Sequence, residues 1–432
     1  MTAHARLTRR LGLPGAVVVG VGSMVGAGVF TALGLAAARA GTLLLLALAL
    51  AGVVAWINAT STAQLAAVHP TSGGAYTFGR RQLGEWAGFL AGWGFVTGKS
   101  ASVAAMAYTF ALYVVPAVSP QEAPGADWTA RWVAVAAVVL LTGVNLLGIT
   151  RTVQATVAIV VPVVLILAAV IVAGFLSPAP DAGRAGPGLD SPGADPGLWS
   201  VLQGAGLLFF AFAGYARIAT LGEEVRSPRR TIPRAVFGAL AFTLVLYVLL
   251  AVALQRVLGV DGLAASAAPV RDAVALLFGA DWIWLAVFGA ALASLGSMLN
   301  LVAGLSRTGL AMAREGDLPR ALEAVSARTS VPWVAQLAAA AVVIVLLLSA
   351  DVLTVVGFSS FGVLVYYAVA NLAASTLTER AVRAPRWLNL AGALLCLLLA
   401  CTLPWVSVLV MLGVFAVGLA GRAMVVWRRR RR

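Results

Sequence analysis

Apolar runs of about 20 residues, parted by short polar connectors, follow one another from end to end of this chain. Runs of that length suit helices that cross a hydrocarbon core roughly 30 Å thick. Twelve are legible, at 14–38, 41–67, 85–115, 130–148, 152–176, 199–221, 235–257, 281–311, 332–350, 352–377, 387–403 and 405–426. The first is too long and too rich in glycine for a cleavable signal. The longest connector, 177–198, is rich in Pro, Gly and Asp and reads as a solvated linker. Two others, 74–85 and 311–328, read as surface helices.

The apolar pattern is interrupted at two matching places. The first run carries Gly20, Gly22, Gly26 and Gly28 within nine positions. Each glycine weakens a helix relative to alanine, so together they predict an unwound stretch at mid-membrane, tolerated only where it is buried or lines a cavity. The sixth run has a corresponding weak point at Phe209-Phe210-Ala-Phe-Ala-Gly214-Tyr215. Runs one and six lie five apart and run in opposite directions, as an inverted repeat with interrupted helices requires. Backbone N–H groups after the first break, at the positive end of a half-helix, suit a carboxylate. Carbonyls around Phe209 to Phe212 suit an ammonium. Together they would clasp an α-amino acid. The alternative is that the glycines only allow close helix packing.

Composition and charge narrow the field. The chain has 432 residues, is 61% hydrophobic and only 11% charged, against roughly 25% in a soluble domain. Cys396 and Cys401 share one apolar run, and the two histidines are His4 and His69, so no disulfide framework, metal site or catalytic triad is expected. The net charge is +14, but no basic face interleaved with aromatics suggests nucleic acid. Instead 23 basic residues fall on the side of the termini and 5 on the other, which places both termini in the cytoplasm of a multi-pass cell-membrane protein. The terminal arginines, Arg428 to Arg432, read as a topology anchor, with anionic lipid as a second reading.

Four motifs in order resemble the amino acid/polyamine/organocation permeases: Gly22-Ser-Met-Val-Gly-Ala-Gly-Val-Phe30, Ser72-Gly-Gly-Ala-Tyr76, Phe209-Phe-Ala-Phe-Ala-Gly214 running into Gly222-Glu-Glu-Val-Arg-Ser-Pro-Arg-Arg-Thr-Ile-Pro-Arg234, and Ser306-Arg-Thr-Gly-Leu-Ala-Met-Ala-Arg-Glu-Gly-Asp-Leu-Pro319. The resemblance implies an all-α integral membrane, leucine-transporter-like five-plus-five inverted repeat with 12 transmembrane helices, helices 1 and 6 interrupted. It divides the chain into a cytoplasmic segment 1–13, repeats at 14–176 and 199–377, peripheral helices 387–426 and a basic tail 427–432. It implies alternating access, with Gly22, Ser23, Met24, Gly26, Ala27 and Gly28 at the carboxylate-binding turn. Phe209, Phe210, Ala211, Phe212, Ala213 and Gly214 then hold the amine and line the side-chain pocket. Glu223 and Glu224 are read as partners of Arg226, Arg229 and Arg230 at the inner gate.

Two basic residues lie within the runs. Lys99, the only lysine, stands 14 residues from both Glu85 and Tyr113, about 21 Å of helix each way. A charge there is costly, which makes Lys99 a candidate proton carrier; a fixed ammonium bonded to the broken helices is the alternative. Some proton-coupled relatives carry a lysine in the fifth span, where this chain has Val161-Pro162-Val163. Ser294 and Ser297 leave sodium open. Arg217 stands close to where cationic amino acid relatives tend to carry an acid, so a neutral or acidic substrate is expected; Arg217 would then pair with a side-chain carboxylate or simply snorkel to water. The expected function is proton symport of an amino acid without a cofactor, with an exchanger or a transport-dead sensor as alternatives.

Overall fold

The computed structural model describes residues 11–26, 28–70, 73–118, 128–147, 152–177, 197–219, 221, 225–329, 331–380 and 382–431. Ala27, Ser72, Glu223, Glu224 and most of the connector 177–198 lie outside them. All regular structure among the described residues is helical, apart from one isolated parallel bridge between Leu11 and Val225. The helices are α1 (Leu13–Met24), α2 (Leu33–Ala40), α3 (Leu44–Val68), α4 (Gly74–Leu83), α5 (Glu85–Val118), α6 (Trp128–Leu146), α7 (Thr152–Leu176) and α8 (Leu198–Phe212). They continue with α9 (Ala216–Ala219), α10 (Pro228–Ala265), α11 (Pro269–Phe278), α12 (Ile283–Arg314), α13 (Trp333–Ser349), α14 (Val352–Ser375), α15 (Arg386–Thr402) and α16 (Trp405–Arg430).

Nine helical stretches among the described residues are long and apolar enough to cross a membrane, and Leu13–Met24, Trp333–Ser349 and Arg386–Thr402 are shorter apolar helices beside them. One of the nine, Gly28–Val68, turns at Gly41, where φ is 51°. Exposed tryptophans mark helix ends: Trp128 on α6, Trp199 on α8, Trp333 on α13, Trp387 on α15, and Trp405 and Trp427 at opposite ends of α16. An amphipathic ring settles at the boundary between hydrocarbon and headgroups, so these residues outline a membrane slab.

Helices in lipid associate through close packing and shared polar groups rather than through hydrophobic burial. The central helix α5 packs against α12 and α14. It meets α14 where Gly98 faces Gly362: a Cβ on Gly98 would stand 2.9 Å from the Val363 nitrogen, so only bare backbone allows this crossing. Lys99 is the next residue, and the crossing therefore sets its direction.

Of the two expected surface helices, the first is α4. The second is reduced to one 3-10 turn, Arg320–Glu323, because α12 continues to Arg314 and is closed by Gly316, at φ 73°. Gly316 N–H donates to Ala313 O at 2.7 Å and Asp317 N–H to Met312 O at 2.8 Å, the double closure of a Schellman motif. The turn delivers Asp317 inward to Arg422, Arg80 and the Tyr76 hydroxyl. Arg422, counted in the sequence among the cytoplasmic charges, is thereby buried: only 3% of its side chain is exposed, and it also reaches Glu85 at 3.3 Å and lies over Trp86 and Phe89.

Candidate substrate site at the broken helices

Helix α1 stops at Met24, in the middle of the glycine-rich run. Val25 has ψ 84°, and Gly26 N–H donates back to Met24 O at 2.9 Å, a turn too tight to propagate a helix. The chain resumes as a short π-helix, Gly28–Ala32, that runs into α2. The break in the sixth span is shallower. Helix α8 ends at Phe212, passes through one 3-10 turn, Ala213–Tyr215, and resumes as α9. The expectation of open carbonyls at Phe209 to Phe212 thus meets a turn that keeps part of its own bonding, with Ala213 N–H donating to Phe210 O.

The two breaks touch. A Cβ on Gly28 would fall 2.5 Å from the Ala211 Cα, and one on Gly214 would fall 2.6 Å from the Met24 nitrogen. Both glycines are therefore required by backbone approach. Tyr247 of α10 ties the breaks together: its hydroxyl lies 2.7 Å from Met24 O and 3.3 Å from Ala211 O and donates between them. Met24, Gly28, Ala211 and Gly214 are all buried at this junction.

Lys99 reaches the same place from α5. Its ammonium donates to Ala213 O at 3.1 Å, and the Tyr367 hydroxyl donates to that carbonyl at 3.4 Å. Lys99 is 4% exposed. The side chain singled out by sequence thus ends on the turn singled out by sequence. Ser23 turns back into α1, donating to Val19 O at 2.8 Å, so its hydroxyl supports the first half-helix. Ser297 donates to Gly22 O at 3.0 Å, and the buried Ser294 hydroxyl has no hydrogen-bond partner among the described residues.

The aromatic residues divide by direction. Phe209 packs edge-on against Tyr367, with centroids 5.7 Å apart, and Phe212 packs against Tyr247 at 5.2 Å. Phe210 is buried at the level of the Gly28–Ala211 contact. No acidic residue occurs in α1, the π-helix, α2, α8 or α9. Arg217 is half-buried on α9, beyond the turn.

On the α11 side, Tyr113 donates to Phe30 O at 2.9 Å and accepts from Val270 N–H of α11 at 3.3 Å. Thr31 and Thr109 join by hydroxyls at 2.8 Å. Tyr113, Tyr247 and Tyr367 were missed in the sequence. The available signal was the scarcity of tyrosine: seven in the chain, of which these three aim hydroxyls at the backbone of the broken spans.

The family profile described as amino acid permease matches residues 11–423. An uncharacterized transporter of Mycobacterium tuberculosis is 52% identical over 98% of this chain and 93% of its own length. Cationic amino acid transporter 3, mitochondrial, of Arabidopsis thaliana is 28% identical over 88% of this chain and 64% of its own length. The branched-chain amino acid permease BcaP of Bacillus subtilis is 27% identical over 76% of this chain and 72% of its own.

Proposed function

The chain belongs to the amino acid permease family, a family of membrane transporters and not of enzymes, and we propose on that footing that it carries a neutral or acidic amino acid across the cell membrane together with a proton. The observation that carries this reading is the contact between Lys99, the only lysine, and Ala213 O at the sixth-span turn.

In this mechanism the substrate carboxylate sits on the backbone after Met24, where the positive end of the π-helix and α2 faces it. The substrate ammonium bonds to carbonyls of the α8–α9 turn. Protonated Lys99 braces that turn through Ala213 O; after losing its proton it no longer does so as a cation, and the turn can rearrange. Coupling then follows because substrate and proton act on one piece of backbone. The absence of an acidic side chain from both broken spans argues against a cationic substrate, and the Phe210 and Phe212 surroundings favour an apolar side chain.

A leucine-transporter-like arrangement of twelve spans in two inverted repeats, working by alternating access, is part of the proposal. It is supported by breaks in the first and sixth spans and by three short apolar helices that bring the count of apolar elements toward twelve. Cytoplasmic termini are supported by the arginine distribution, and a tail held to anionic lipid by Arg431, which lies over Trp427.

The test is uptake of a labelled amino acid panel into proteoliposomes under an inward proton gradient without sodium, with Lys99→Met beside the wild type. Concentrative uptake in the wild type and its loss in the variant are expected. Accumulation by Lys99→Met driven by protons alone would refute coupling through this residue. Uptake that needs preloaded internal amino acid would make the protein an exchanger, and arginine outcompeting leucine and glutamate would overturn the substrate class. Sodium coupling is a second reading, favoured by the unpartnered Ser294 hydroxyl one turn from Ser297, and it predicts uptake only when sodium is added.

A further inference from the structure

A second polar feature lies beside the lysine and belongs to none of the groups assigned above. Between α3, α14 and α15 runs a fully buried seam of amides and hydroxyls: Asn58, Ser61 and Gln64 of α3, Asn371 of α14, and Asn389 of α15. Asn371 Nδ2 donates to Asn58 Oδ1 at 2.6 Å and to Tyr367 O at 2.9 Å, while Ser61 donates to Asn371 Oδ1 at 2.5 Å. Asn389 Nδ2 donates to Ser61 Oγ at 2.6 Å and to Gln64 Oε1 at 3.1 Å. Gln64 Nε2 then donates to Val382 O at 3.0 Å, in the half-exposed connector between α14 and α15.

The seam has a direction. Tyr367 stands at its inner end: its main-chain carbonyl accepts from Asn371, and its hydroxyl, at the far end of the ring, shares the Ala213 carbonyl with Lys99. From there the polar groups step along α3 and α14 toward the connector that holds Arg380 and Arg383, and the start of α15 at Arg386, on the side assigned to the cytoplasm. Amides and hydroxyls facing one another inside a membrane bundle bond one helix to the next, and a line of them that starts at an ionisable group has the make-up of a proton relay.

The seam is also incomplete. Among the described residues, Asn58 Nδ2 and Asn389 Oδ1 are buried with no partner, and the Tyr215 ring lies 5.2 Å from that of Tyr367. Flipping the amides does not cure this. Asn58 Oδ1 already accepts from Asn371 and from Cys396 Sγ at 3.3 Å, and Asn389 Nδ2 already donates twice. An unfilled donor on Asn58, which bonds Asn371, and an unfilled acceptor on Asn389, which bonds Ser61, are what buried water satisfies, since water offers both.

We propose that the Asn58–Asn371–Asn389 seam holds buried water and is the path by which Lys99 releases its proton to the cytoplasm. Lys99 gives a proton to water at the Ala213 turn; its N–H bond breaks, the electron pair stays on nitrogen as the neutral amine, and the proton leaves along the waters past Gln64. The proposal rests on Lys99 as the coupling residue. It adds an exit for the proton that begins at the α8–α9 turn and leads away from the substrate site.

The test has two arms on the full-length protein. In the first, X-ray radiolytic footprinting of the wild type reads water held next to buried side chains. Tyr367 and Cys396, both fully buried, are expected to be oxidised, and Asn389→Leu is expected to protect them; unlabelled wild-type residues mean a dry seam and overturn the proposal. In the second, Asn389→Leu and Asn58→Leu are reconstituted, and proton-driven net uptake is compared with substrate counterflow, which needs no proton release. Net uptake is expected to fall about tenfold, equivalent to about 1.4 kcal/mol on the transfer barrier, with counterflow in the wild-type range. A parallel fall of both would make the seam a packing feature, and an unchanged net uptake would exclude it as the path. Wild-type uptake indifferent to the proton gradient would fail the Lys99 reading itself and remove the path with it, whatever the footprinting shows.

Discussion

Replacing Gly214 by alanine tests whether the two broken spans meet through their backbones. The added methyl would stand 2.6 Å from the Met24 nitrogen, with the Ser23 carbonyl closer still. Comfortable nonbonded separations begin near 3.5 Å, so the first span must retreat by about 1 Å. Overpacking of this kind costs about 1–3 kcal/mol, or roughly five- to 150-fold in the population of the intact arrangement. Initial uptake rate in proteoliposomes and thermal stability in detergent are both expected to fall. The obstructing atoms are backbone, so no side-chain truncation can relieve them. Gly22→Ala supplies the contrast. Its methyl would meet Thr156 Cγ2 at 2.6 Å and Val160 Cγ2 at 2.7 Å, so Thr156→Ser with Val160→Ala is expected to restore it in part. Wild-type transport by Gly214→Ala, or its rescue by truncating a neighbouring side chain, would refute backbone contact between the spans.

Other outcomes follow from individual contacts. Tyr247→Phe removes the donor shared by Met24 O and Ala211 O and is expected to cost about 1–3 kcal/mol, read as a lower melting temperature and weaker substrate binding by calorimetry. Arg422→Met removes one partner of Asp317, which is 5% exposed and keeps Arg80 at 3.4 Å and the Tyr76 hydroxyl at 2.9 Å; the loss in thermal unfolding is expected to stay below the about 3–5 kcal/mol of a buried charge left bare, and adding Arg80→Met is expected to deepen it. His69 Nε2 accepts from Gln82 Nε2 at 2.9 Å, and burial first, then the neighbouring Arg81, hold its imidazole below the ordinary value of 6.5. Its contribution is therefore full above the unfolded value and is lost as pH falls through the lowered one. Melting temperature is expected to drop as pH goes below about 6.5, with a smaller drop in His69→Gln.

Much of the site was legible in the sequence. The first break followed from glycine density, and its place at Met24 agrees with the four glycines around it. Lys99 stood out because a lone amine in an apolar run has no ordinary place there. The sixth-span break was legible in position but not in depth, since Ala213 to Tyr215 keep a 3-10 turn that a run of alanine, glycine and aromatic residues does not announce. Arg422 was read as a surface charge because its sequence neighbours are apolar span and basic tail. The Schellman turn that brings Asp317 to it forms more than 100 residues earlier in the chain. The amide seam was invisible for the same reason: Asn58, Asn371 and Asn389 each look like an isolated polar residue in its own span.

The sequence by itself determined that this chain threads a membrane many times and belongs with the amino acid permeases, and it determined where the first span breaks. These are local properties: hydrophobic length matches the bilayer, and helix propensity is summed over a few neighbouring residues. The tertiary structure alone decided which carbonyl Lys99 meets, which tyrosines hold the breaks together, and which polar groups join into a buried seam. A helix that is apolar on nearly every face carries little in its periodicity about how it is turned around its axis. Only packing against the other spans, at crossings such as Gly98 on Gly362, settles that rotation, and with it the direction of every side chain that does chemistry.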